Sequence, residues 1–211
     1  MPYTNVDAAN QALSLLGVNA ISAIDNTTEE GTEAGRFYDD VKNALLVKRP
    51  WRWAMKTAQL VAAADPSRGW DKAHDLPADL IKGGYFILYP DDGEHQLPVK
   101  SFEIYGADVR SNYDTLWADY VYDADEDDWP GDFRRLFYHA LAAEMALPLT
   151  EKRSKREDLA RIAWGPPSEN GNGGLFATAA LADSQRRPIR GLAETSSPLL
   201  AARQGRGNRF Y

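Results

Sequence analysis

The chain stops a helix at Pro50 and follows the stop at once with two tryptophans, and every fold this sequence adopts must accommodate that junction. The stretch Asp39 to Leu60 reads DDVKNALLVKRPWRWAMKTAQL. Val41, Ala44, Leu45 and Lys48 fall at i, i+3, i+4 and i+7, with Phe37 one turn upstream, which gives a helix one apolar face. Pro50 ends that helix, since it has no N–H and disfavours helical geometry at Arg49. Ala54 to Leu60 is expected to resume a helix. Each of Trp51 and Trp53 buries roughly 150–250 Å² in a core. Two readings follow: a structural anchor, or an aromatic platform for a sugar or a base.

Upstream, Thr4 with Asp7 forms a capping box, and Val6, Ala9, Leu13 and Leu16 make one stripe before Gly17. The spacing predicts a first helix over 5–16. Thr27 with Glu30 predicts the start of a second helix that runs to Lys48. Gly31 and Gly35 each cost it about 1 kcal/mol relative to alanine, and close approach of another helix would account for them. Residues 62–75 carry Pro66 and Gly69 and read as a loop. LPADL (76–80) reads as a single turn.

The period then changes. Tyr85–Tyr89, Leu97–Tyr105 and Thr115–Tyr122 alternate or are aromatic-rich, with turn signals at PDDG (90–93) and at 112–114. Residues 83–123 are therefore expected to form one small antiparallel sheet inserted between helices. DADEDDWPGD (123–132) has the D-x-D-x-D start of a calcium loop. It lacks the glycine at loop position 6, where Asp128 stands, and the glutamate at position 12, where Arg134 stands. The expectation is a solvated loop that places negative charge at the next helix start, with no metal.

Phe133, Leu136, Phe137, Ala140, Leu141, Glu144 and Met145 set out a third helix that Pro148 bends or ends. His139 lies off this stripe and reads as a surface histidine. Residues 152–164 form a charged fourth helix, with Leu159, Ile162 and Ala163 on one side. GPPSENGNGG (165–174) interrupts the pattern, and 175–185 resumes it.

The fold class expected is mainly α (α+β): an antiparallel helical bundle, a small inserted antiparallel sheet and an extended C-terminal arm. Its divisions are residues 1–82, 83–128, 129–185 and 186–211. The core positions singled out are Leu13, Leu16, Tyr38, Leu45, Trp51, Trp53, Phe133 and Phe137.

Composition narrows the function. The absence of cysteine excludes disulfides and thiolate chemistry. The N-terminus has no basic region followed by an apolar run, and no apolar run nears the roughly 20 residues that span a bilayer. A net charge of −7 argues against general DNA coating. That charge is uneven: residues 184–211 hold six arginines and one glutamate, a net +5, which leaves −12 on residues 1–183. An acidic body with a basic tail points to docking on something acidic. No glycine-rich phosphate loop, HExxH or GxSxG is present, so no catalytic residue, cofactor or metal site is expected.

An early ALSLLG, the FYDDVKNALLVKRPWRWAMKTAQL block and HDLPADL resemble, in that order, the phage head-to-tail adaptors. These are the tail tubular protein A proteins and related tail accessory factors of short-tailed phages. The matching residues are Ala12, Leu13, Leu16, Gly17, Tyr38, Leu45, Leu46, Pro50, Trp51, Ala54, Leu60, Leu76, Pro77 and Asp79. A second block matches at Trp129, Pro130, Phe133, Ala140, Ala143, Ala146, Leu149 and Thr150.

The resemblance implies a structural protein of the virion, assembled in the host cytoplasm. It would form a homo-oligomeric ring, a dodecamer, between portal protein and tail nozzle protein. The extended arm has no core of its own, so the protein is expected to be a monomer when free. Packaged DNA would pass through the ring without sequence-specific binding, and no membrane would be involved. By position, the resemblance assigns portal binding to Arg186, Arg187, Arg190, Arg203, Arg206, Arg209, Phe210 and Tyr211. The break at 165–174 departs from the long final helix of the family. Some relatives are said to act on polysaccharides. The alternative is thus a tail-associated polysaccharide hydrolase or carbohydrate-binding protein, with Glu103, Asp119 and Glu126 as candidate acids.

Overall fold

Thr4 accepts a hydrogen bond from the Asp7 N–H (3.2 Å), and the Asp7 carboxylate accepts one from the Thr4 N–H (2.9 Å). This closes the capping box of α1 (Asn5–Leu16). Gly17 ends the helix at φ 71°, and the next N–H, from Val18, reaches back to the Leu13 carbonyl. The computed structural model describes residues 2–66, 69–90 and 98–186. Among them, no helix is long and apolar enough to cross a membrane.

The second helix starts later than Thr27 implies. Thr28 is its cap and accepts from the Gly31 N–H (3.0 Å), while Thr27 bonds Asp25 in the loop before it. α2 spans Glu29–Val47. Gly31 faces this loop rather than another helix: a Cβ there would lie 2.6 Å from the Asp25 carbonyl oxygen. The helix expected over Ala54–Leu60 does not form. Residues Arg52–Ala54 form a 3-10 turn, and Met55–Gln59 is a strand, β1.

Among the described residues six further strands follow: β2 (Val61–Ala62), β3 (Lys72–Asp75), β4 (Phe86–Pro90), β5 (Glu103–Tyr105), β6 (Asp108–Ser111) and β7 (Leu116–Val121). They make two antiparallel sheets rather than one, in the orders β1-β7-β4 and β2-β3-β6-β5. Strand thus begins at Met55, well before residue 83, and β3 lies in the stretch expected to be loop. Leu60 alone separates β1 from β2, and its N–H donates to the Leu116 carbonyl (2.9 Å) where the chain changes sheets. Leu60, Leu88, Val99, Val109, Leu116, Ala118 and Tyr120 form the sheets' own core.

α3 (Gly131–Thr150) carries the chain back into the helical layer. Helices α1, α2, α4 (Arg153–Trp164) and α5 (Gly174–Ser184) all pack on it, so α3 is buried beyond a single stripe. That is why His139 is buried, contrary to the surface expectation, with its Nδ1 2.9 Å from the Arg135 carbonyl. Pro148 does not end α3. It lies in the last turn, where its missing N–H costs one ladder bond, and the helix runs on to Thr150. On α4, Leu159 and Ala163 are buried but Ile162 is exposed.

The 165–174 segment turns back on itself. Gly174 has φ 55°, and a Cβ on it would lie 2.4 Å from the Ile162 carbonyl oxygen, so only glycine fits. The turn sets α5 against both α4 and α3. The fold is therefore mixed α+β: among the described residues it has five helices and two small sheets, with the sheets between α2 and α3 in the chain.

Candidate functional site

The junction that stops α2 is closed by Trp51. Its indole N–H donates to the Leu45 carbonyl (2.8 Å), one of the carbonyls the helix end leaves without an intrahelical partner. Its ring meets Phe133 edge-on at 5.1 Å and Phe176 at 5.8 Å. Trp129 continues the stack, 5.2 Å from Phe133 and 4.7 Å from Phe137, and Tyr38 meets Phe137 at 5.0 Å. Trp51 is 0% exposed, which leaves no face for a sugar or a base. Leu13, Leu16, Tyr38, Leu45, Phe133 and Phe137 lie in the same buried cluster, and Trp53 packs half-buried against it.

The C-terminal segment leaves the body beside this cluster. The end of α5 is tied down by Asp183, which is 3% exposed. One of its oxygens accepts from the Arg52 N–H (2.9 Å), and the other lies 3.6 Å from Arg49 Nε. Arg49 also donates to the Ser184 hydroxyl (2.6 Å). The 51–54 turn and the last helix are thus held to each other by one buried carboxylate. Arg186 follows and lines a small cleft with Trp53, Pro130, Asp132 and Phe133. Of the eight residues assigned to portal binding, Arg186 is described; Arg187, Arg190, Arg203, Arg206, Arg209, Phe210 and Tyr211 lie outside the described residues.

In the acidic 123–128 segment Asp123, Asp125, Asp127 and Asp128 are exposed, as a solvated loop would have them, but Glu126 is drawn into the fold. Residues Glu126–Asp128 form a 3-10 turn. The Lys42 ammonium sits 2.8 Å from Asp123 and 3.3 Å from Glu126, and the Tyr38 hydroxyl donates to Glu126 (3.1 Å). Burial disfavours the Lys42 charge, but the two carboxylates outweigh it and raise its pKa. Burial, with Glu126 beside it, pushes the Tyr38 hydroxyl well up. Among the described residues, no group of three or more potential metal ligands comes together.

The three acids considered for glycan chemistry stand on separate elements with separate partners. Glu103, on β5, accepts from the Trp70 indole (3.0 Å). Asp119, on β7, accepts from the Thr57 hydroxyl (2.6 Å). Glu126 belongs to the Lys42 cluster. A second acidic staple was not anticipated: Asp79 joins Lys56 (2.5 Å) and the Tyr120 hydroxyl (2.8 Å). Burial raises its pKa, but these hydrogen bonds prevail and hold the carboxyl below the ordinary range.

Sequence reasoning also missed Asp183 and Arg49. Their partnership spans more than a hundred residues of chain, and neither stands in a recognisable motif. No protein-family model and no curated protein sequence matches this chain.

Proposed function

We propose that this protein is a structural head-to-tail adaptor of a short-tailed phage, a ring-forming connector between portal and tail nozzle. One observation carries the reading: the two sequence blocks that resemble that family converge on one core. Ala12, Leu13, Leu16, Tyr38, Leu45, Leu46, Trp51 and Ala54 from the first block share the buried cluster with Trp129, Phe133, Ala140, Ala143 and Ala146 from the second. Residues that far apart in sequence support a common scaffold when they pack together, and nothing about them is catalytic.

On this reading the helices form an antiparallel bundle that builds the ring, and the sheets face neighbouring copies or the nozzle. The segment from Arg186 onward is the arm that grips the portal. The acidic body, with −12 on residues 1–183, lets DNA slide through the ring by like-charge repulsion. The arm has no core of its own to bury, so its order comes from what it docks on, and the free protein is a monomer.

Light scattering of the purified protein should give a monomer, and electron microscopy after mixing with portal should show rings on the portal. A stable large ring without portal, or portal particles left bare, would overturn the proposal.

A further inference from the structure

An apolar groove of about 720 Å³ runs between the 76–86 segment and the β5–β6 hairpin, lined by Leu76, Leu80, Ile81, Phe86, Ile104 and Ala107. Its size falls within the range of sites that receive ligands. The Leu76 N–H donates to the Ala107 carbonyl (2.9 Å), which ties the two walls together. The groove opens at a sheet edge. Ile104 pairs in register with Val109, which pairs with His74, so the three share one face. His74 is 1% exposed and Val109 0%, yet Ile104 is 50% exposed. The row thus runs from buried His74 and Val109 out to a solvent-exposed Ile104. β5 is the outer strand of its sheet, and all three of its residues are exposed. An open strand edge beside an apolar groove is the geometry that accepts an added strand: backbone bonds go to the edge and alternate side chains to the groove.

We infer that the occupant is the Pro198–Ala202 stretch, PLLAA, of this chain's own C-terminal segment. Three arguments select it. The first is reach. Lys56, Tyr120 and Phe86 are register partners on β1, β7 and β4, so Phe86 lies roughly 10 Å from β1. Trp53 lines the same cleft as Arg186 and precedes Lys56 by three residues, which adds roughly 10 Å. From Arg186, twelve residues bring Pro198 as far as about 40 Å, whereas Ile189 reaches only about 10 Å.

The second argument is charge. Residues 187–211 hold five arginines and one glutamate, a net +4, against −11 on residues 1–186. Asp75, Glu103 and Asp108 each adjoin a groove-lining residue in sequence, against Lys82 in the lining and Arg110 opposite Glu103, while Asp79 is already paired with Lys56. The third is composition. Pro198–Ala202 is the longest uninterrupted apolar run after Arg186, and a proline at its start suits an edge strand. On the adaptor reading this docking withholds the arm until a portal is present. That consequence rests on that reading; the docking itself does not.

The test uses the full chain. Hydrogen exchange at the amides of Glu103–Tyr105 should be about tenfold slower in the wild-type protein than in L199D/L200D. That variant should melt as wild type does, since the substitutions alter none of the described core residues. The difference should be independent of protein concentration. The chain has no cysteine, so Ala107→Cys with Ala201→Cys supplies the sole thiol pair. It should close a disulfide within one chain, and a Glu151→Cys, Ala201→Cys control should not. Equal exchange in the two proteins overturns the inference. So does a disulfide that forms only between chains, which would place a second copy's segment in the groove. Failure here leaves portal attachment untouched, so the adaptor proposal is tested separately.

Discussion

Trp51 holds two roles at once, and they can be separated by substitution. Its ring fills the space between Phe133 and Phe176, and its N–H satisfies the Leu45 carbonyl. Trp51→Ala removes both and should cost about 3–5 kcal/mol in denaturant unfolding. Trp51→Phe keeps most of the ring but strands the carbonyl, and about 1–3 kcal/mol is expected. If Trp51→Phe unfolds like the wild type, the indole hydrogen bond contributes nothing. His139 gives a pH signature. Burial, its largest influence, holds its folded-state pKa below the ordinary value of 6.5. The unfolded chain therefore takes up the proton first. The stabilisation is complete above about pH 6.5 and is lost as pH falls through the folded value. Thermal melts of His139→Gln should accordingly lose less stability than wild type between pH 7 and pH 5. Parallel curves would show that His139 is not the group responsible.

At the scale of elements, α5 depends on a contact rather than on its own sequence. Its N-cap has no side-chain hydrogen bond, and its last turn is fastened by Asp183 to Arg52 and Arg49. Asp183→Ala leaves the Arg52 N–H without its acceptor and removes the carboxylate beside the Arg49 guanidinium. Breaking a buried pair costs roughly 3–5 kcal/mol, and partial exposure of Arg49 places this one near the lower figure, about 3. Exchange of the α5 amides should rise with it; unchanged protection would mean that packing on α3 and α4 suffices. The same contrast explains what was legible in the sequence. α1 could be read to the residue because its signals are local: Thr4, Asp7 and Gly17 act within a few residues of the helix. β1 could not. MKTAQ has no clear alternation, and its strand state comes from pairing with β7, where Met55 meets Val121 across the sheet. The same holds for KAHD in β3, whose His74 is buried against Val109. Gly31 signalled a close approach, but only the fold names the approaching group as the Asp25 carbonyl.

At the scale of the whole molecule, the charge division was visible from composition, whereas the seat of the arm's root was not. Arg186 sits beside the aromatic cluster because α5 is turned back onto α3. Among the described residues the helical core reaches no further along the chain than Ala179. Deleting residues 186–211 should therefore leave the melting temperature nearly unchanged while portal attachment is lost. Within the arm, Phe210 and Tyr211 have the character of pocket-filling anchors that set off-rate, and the arginines that of rim charges that set on-rate. Replacing Arg186, Arg187, Arg190, Arg203, Arg206 and Arg209 with glutamine should weaken portal attachment most at low salt. At high salt, screening has already blunted those charges, and the variant and the wild type should converge. Replacing Phe210 and Tyr211 with alanine should instead raise the dissociation rate at every salt concentration. Surface plasmon resonance on immobilised portal across a salt series separates the two effects. A truncated protein that still docks with unchanged affinity would move the portal contact from the arm to the folded body.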